Sequence, residues 1–187
     1  QPDSSPVIAY VPLDDRPDNV GRVEYLAESL GYTLHMPEEW MYKTLLDGQI
    51  EDYYAENGLE IKSWTGQSGY PALLSRWVLE QEAAGCDRYI LSMDQLLYGG
   101  LVASRLAETT TEQDGATLAS LLSALAVDPN NEVWLLDSVM RLAPTVGYNG
   151  GTLEEYNALR AFGAAPRQTL SADQLTLDRI RETYDTD

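Results

Sequence analysis

Four short apolar runs, VIAYVPL (7–13), YTLHMP (32–37), RYILSMD (88–94) and EVWLLDSV (132–139), set the strongest limit on how this chain can fold. Each is too short for an ordinary helix. Three are apolar throughout instead of alternating with polar residues, which is the pattern of strands covered on both faces. The segments between them have helical period. Val20, Val23, Leu26, Ala27 and Leu30 recur at that spacing, and Gly31 ends the series. EEWMYKTLLD at 38–47 reads as a helix stopped by Gly48. Pro71 opens another through Leu73, Leu74, Trp77, Val78 and Gln81 to about Ala84, and GATLASLLSALA (115–126) carries a further apolar stripe. Thr152 with Glu155, and Ser171 with Gln174, have the spacing of capping boxes, so two more helices are predicted there. Strands alternating with helices predict an α/β domain. Its sheet should be mainly parallel with flanking helices and four or more βα units, either open and doubly wound or part of a β/α barrel.

The 187 residues, 44% of them hydrophobic, suffice for a single α/β domain over 1–187 with a sizeable core. Residues 48–70 read as a long excursion rich in turn formers and aromatics, among them Tyr53, Tyr54, Trp64 and Tyr70. Asp and Glu outnumber Lys and Arg by 30 to 12, and the net charge of −18 repels nucleic acid and anionic lipid. No apolar run approaches the roughly 20 residues that span a bilayer. The expected partner is therefore a small-molecule or glycan substrate. Cys86 and His35 are each the only residue of their kind, which removes disulfides, Cys clusters and His-rich zinc sites and leaves acid–base work mainly to carboxylates, Tyr and Lys. No motif calls for a cofactor or a resident metal. The opening QPDSSP, followed at once by a strand, fits a mature secreted protein or a trimmed chain, and the expectation is an extracytoplasmic one.

In parallel sheets ligands bind beyond the carboxyl ends of the strands, so the residues after each run carry the functional signal. The first run exits into Asp14, Asp15 and Arg16; the third into Ser92, Asp94 and Gln95; the fourth into Asp137, Ser138 and Arg141. Parallel strands would gather these groups on one rim, as a carboxylate-lined pocket with balancing guanidinia. Each has a plainer reading as well. Asp14 or Asp15 can start a helix or pair with Arg16, and Asp94 can cap a turn built on Gly99 and Gly100. The glycine pair lacks the spacing of a dinucleotide or phosphate loop and reads better as a tight strand-to-helix turn.

PLDDRPDN (12–19) and MDQLLYGGLVASR (93–105) together resemble a bacterial family of unknown function, whose members open with P-L-D-D-R-P-x-N and later carry D-x-L-x-Y-G-G-L-x-x-S-R. The resemblance implies that this chain is the amino-terminal part of a longer protein. It marks Asp14, Asp15, Arg16, Asn19, Asp94, Tyr98, Gly99, Gly100, Ser104 and Arg105, and it brings no activity with it.

Three functions fit these residues. A carbohydrate-active hydrolase, glycosidase-like, would use Asp94 with Asp14 or Asp15 as its two carboxylates and the excursion aromatics as sugar platforms. A metal-dependent hydrolase would hold Mg²⁺ or Mn²⁺ on Asp14, Asp15 and Asp94, although consecutive Asp side chains point apart on an extended chain. A non-enzymatic ligand-binding or scaffold domain would use Arg16 and Arg105 to clamp an anion. The hydrolase is the leading expectation.

Overall fold

A computed structural model describes residues 5–43, 69–105, 109–139 and 152–184, with Ala143 and Val146. The chain divides into two compact units, Gln1–Ser138 and Val139–Asp187.

In the first unit, β1 (Val7–Val11), β2 (Thr33–His35), β3 (Arg88–Ser92) and β4 (Glu132–Leu136) form one sheet in the order β2-β1-β3-β4. Every neighbouring pair is parallel. The order decides between the two expected architectures. A β/α barrel places successive strands side by side, whereas here β1 lies between β2 and β3, as in an open doubly wound sheet. The chain leaves β1 towards one edge through α1 (Gly21–Ser29). From β2 it returns through α2 (Glu39–Tyr42) and α3 (Pro71–Ala83) to the other side. With right-handed crossovers, that reversal sends α1 and α3 to opposite faces.

Side-chain alternation along β1 matches this arrangement. Ala9 and Val11 join Tyr89 and Leu91 of β3 in a core with Leu74 and Val78 of α3 and with Leu121 and Leu125 of α5 (Thr111–Leu125). Tyr10, between them in sequence, donates its hydroxyl to the Asn19 carbonyl just ahead of α1, at 2.7 Å. Each fully buried Leu or Val in that core contributes about 1.5–3 kcal/mol.

Several elements begin or end where the simple pattern did not put them. α1 starts at Gly21 after a turn over 17–20, so Asp15 is not its cap. α2 has only four residues. β3 passes directly into α4 (Met93–Tyr98), and Gly99 and Gly100, with φ of 88° and 122°, end that helix where they were expected to start one. Only glycine enters such conformations at little cost. α5 starts at Thr111, four residues ahead of the predicted segment. Thr110 and Gln113 form a complete capping box there. β4 lies at the sheet edge and is mostly exposed, with Trp134 at 68% and Leu136 at 48%, so its apolar sequence does not report burial on both faces. Residues 44–68, which carry most of the predicted excursion, lie outside the described residues.

The second unit holds α6 (Leu153–Ala164) and α7 (Leu170–Tyr184). The Thr152 hydroxyl accepts from Glu155 N–H at 3.1 Å, as its spacing predicts. α7 starts two residues earlier than its predicted box: the Thr169 hydroxyl accepts from Ala172 N–H at 3.3 Å, in place of Ser171.

Candidate functional site

The sheet order reverses between β1 and β3, and in open α/β sheets ligands bind outside the strand ends at such a switch point. Val11 pairs with Leu91, and Leu91 with Leu135. Asp14 and Asp94 therefore each lie three residues beyond one common rung, and Asp137 lies two beyond it. Adjacent strands are separated by about 4.8 Å, so the three acidic exits share one rim.

Asp14 is buried, and its carboxylate is fully engaged. Arg16 Nε donates to both of its oxygens at 2.9 Å, and Arg16 Nη2 reaches Oδ2 at 2.8 Å. The Arg16 backbone N–H and the Asn19 amide add bonds to Oδ1 at 3.2 and 2.6 Å. A turn compact enough to bring residues 16 and 19 back onto residue 14 follows from Pro17, whose fixed φ suits a tight turn. Asn19 closes a chain of contacts, because its carbonyl is the acceptor for Tyr10. Burial, then the nearby charge of Asp14, pushes the Tyr10 phenol up to about 12. Asp14 in turn holds the Arg16 guanidinium still more firmly charged. Asp15 is half-buried.

Asp94 sits in the first turn of α4, whose cap is the Ser92 hydroxyl accepting from Gln95 N–H. It is 4% exposed, yet its Oδ2 has no hydrogen-bond partner among the described residues. The role of Asp94 in the glycine turn belongs to its backbone carbonyl, which accepts from Gly100 N–H at 3.0 Å. Tyr98 donates to Asp114 Oδ2 at 2.7 Å. That bond, then burial and the charges of Asp114, Asp94 and Asp137, pushes its phenol up to about 12. Ser104 donates to the Leu101 carbonyl at 2.9 Å and lies in a short 3₁₀ turn, Ala103–Arg105. Asp137 is exposed and accepts from the next residue's N–H at 3.0 Å.

The strand exits thus bring together Asp14, Arg16 and Asn19 as one cluster, and Asp94 with the Tyr98–Gly100 turn as its neighbour. Arg141 and the aromatics Tyr53, Tyr54 and Trp64 lie outside the described residues. Tyr70 stands edge-on to Trp40 with ring centroids 5.6 Å apart. His35 meets Gln81 on α3 at 3.2 Å, away from the rim. Two residues of the rim were given no role from sequence, Gln95 being named only as part of the β3 exit. Gln95 is fully buried with both amide atoms partnerless among the described residues, and Asp114 is the acceptor for Tyr98. The first occupies a variable place inside the second motif, and the second is hidden on a helix thought to start later.

A family described as Protein of unknown function (DUF4127) matches residues 58–174, more than half of the 187-residue chain. The chain belongs to this DUF4127 family. The expectation of an uncharacterised family is met to that extent. The matched DUF4127 segment includes the β3 exit from Asp94 to Arg105 and the β4 exit at Asp137, and it begins after the Asp14 cluster. No curated protein and no solved structure matches the chain. Among the described residues, no helix of this DUF4127 chain is long and apolar enough to cross a membrane, and no three His, Cys, Asp or Glu side chains are grouped to hold a metal ion.

Proposed function

We propose that the chain carries the acid–base centre of a carbohydrate-active hydrolase, at the crevice between the β1 and β3 exits, with Asp94 as its proton-transferring carboxyl. The observation that supports this is Asp94 Oδ2, a buried acceptor without a partner among the described residues. Leaving such an atom unpaired costs about 1–3 kcal/mol, which a hydroxyl of a bound ligand offsets by donating to it. Asp14, ion-paired to Arg16, is the second carboxylate, placed to stabilise positive charge developing on the sugar ring. A net charge of −18 suits a neutral substrate better than an anionic one. The metal-dependent reading is weaker, because the Asp14 oxygens are already spent on Arg16 and Asn19.

The test is hydrolysis of a panel of neutral glycosides by the full chain and by Asp94→Asn. Loss of turnover by at least about 100-fold with binding retained is the expected result, since proton transfer contributes about 10²–10⁴-fold. Undiminished turnover removes the proposal. One observation favours a second reading, binding without reaction: a carboxylate held as tightly as that of Asp14 is hindered as a nucleophile. Sugar binding with no turnover in wild type would select that reading.

A further inference from the structure

Gln95 is fully buried, and neither its amide nitrogen nor its amide oxygen has a hydrogen-bond partner among the described residues. With Asp94 Oδ2, three partnerless polar atoms fall on two consecutive residues at the β3 exit. The other two among the described residues, Ser75 Oγ and Asn131 Oδ1, belong to separate elements. The Gln95 amide also lies hard against backbone. A Cβ on Gly69 would stand 2.1 Å from Gln95 Nε2 and 2.7 Å from the Met41 carbonyl.

A glutamine here is a poor choice for stability alone. An unbranched apolar chain of similar length would bury the same space without stranding a donor and an acceptor. Groups kept at such a cost are typically kept for function. A neutral amide offers an acceptor and two donors, and Asp94 beside it in sequence offers a further acceptor. The complement is a ligand that donates and accepts at neighbouring atoms. An anion would meet the Asp94 carboxyl, and a cation would leave the amide N–H groups without an acceptor. Adjacent hydroxyls on a neutral ring satisfy both residues. Both amide atoms are buried, so a ligand reaches them only if the Gly69–Tyr70 backbone moves aside; its hydrogen bonds include Gly69 N–H to the Gly99 carbonyl and Tyr70 N–H to the Met41 carbonyl, each at 2.8 Å.

We infer that Gln95 is a specificity-determining residue of the crevice, reading vicinal hydroxyls of a neutral sugar next to Asp94. This rests on the hydrolase reading for the fate of the sugar, but not for its recognition. The experiment compares wild type with Gln95→Met in the full chain. Binding of the methyl glycosides of glucose, galactose, mannose and xylose, and of their monodeoxy analogues, is followed by calorimetry and saturation-transfer NMR, and melting is recorded for both proteins. Expected are a glycoside that binds wild type, about tenfold or greater weakening in Gln95→Met, one deoxy analogue that binds both proteins alike, and a variant that melts no lower than wild type. Equal affinity in the two proteins, no binding of any probe to wild type, or a variant that melts several degrees lower overturns the inference. The two readings fail separately. Gln95-dependent binding without turnover removes the hydrolase and keeps the subsite. Turnover whose KM is unmoved in Gln95→Met does the reverse.

Discussion

Asp14 and Asp94 each lie three residues beyond one rung of neighbouring strands, yet one carboxyl has every oxygen engaged and the other has one with no partner among the described residues. That difference comes from local chemistry. Pro17 and Asn19 fold the first exit back on itself, while the second enters a helix at once. Removing the clamp should therefore be costly. Arg16→Ala leaves Asp14 buried with only part of its hydrogen bonding, and urea denaturation should show a loss of about 1–2 kcal/mol, kept small because Arg16 itself is largely exposed. Gly69→Ala should be harsher still. Its methyl meets the Met41 carbonyl, a backbone atom that cannot rotate away, and a loss of about 1–3 kcal/mol is expected by the same measurement. The tyrosines set an alkaline limit. Tyr10 and Tyr98 titrate near 12 in the folded protein against 10 when free, so the folded state keeps protons that the unfolded state has released. Their contribution is complete below pH 10 and is lost as pH rises from 10 towards about 12. Tyr98→Phe should flatten the fall in melting temperature over that interval.

Among the elements, the fold class was legible because four apolar runs alternate with helical periods, the pattern of a parallel sheet with covering helices. Boundaries were less so. α5 was placed late because its apolar stripe starts at Leu118, although Thr110 and Gln113 already carried the capping signal ahead of it. Thr110→Ala should lower stability by about 0.5–2 kcal/mol in chemical denaturation, the ordinary cost of a lost cap. The Gly99–Gly100 pair was read as leading into a helix, when its positive φ angles end one. The strand order was out of reach, since nothing in a strand's residues names its neighbour. The rim was legible residue by residue, in Asp14 and Asp94, but the engagement of one and the partnerless oxygen of the other arise only in three dimensions.

For the molecule as a whole, the parallel sheet of the first unit is the structure on which the site depends. Leu91, fully buried on β3, leaves a cavity when cut to Ala, and a loss of about 2–5 kcal/mol is expected. The charge acts on the same scale. At −18 the folded chain repels itself, so calorimetry should find a higher melting temperature at about 0.3 M salt than at about 10 mM. The border strand β4 has a different consequence. It is paired on one side only in the described sheet and bears Trp134, Leu135 and Leu136 in the open. Among the described residues no further strand pairs with that margin, so its backbone groups can template another polypeptide, and its side chains reward contact from either face. When the protein is concentrated or warmed, clumping should therefore begin at this margin, with repulsion between like-charged molecules the main force holding it back.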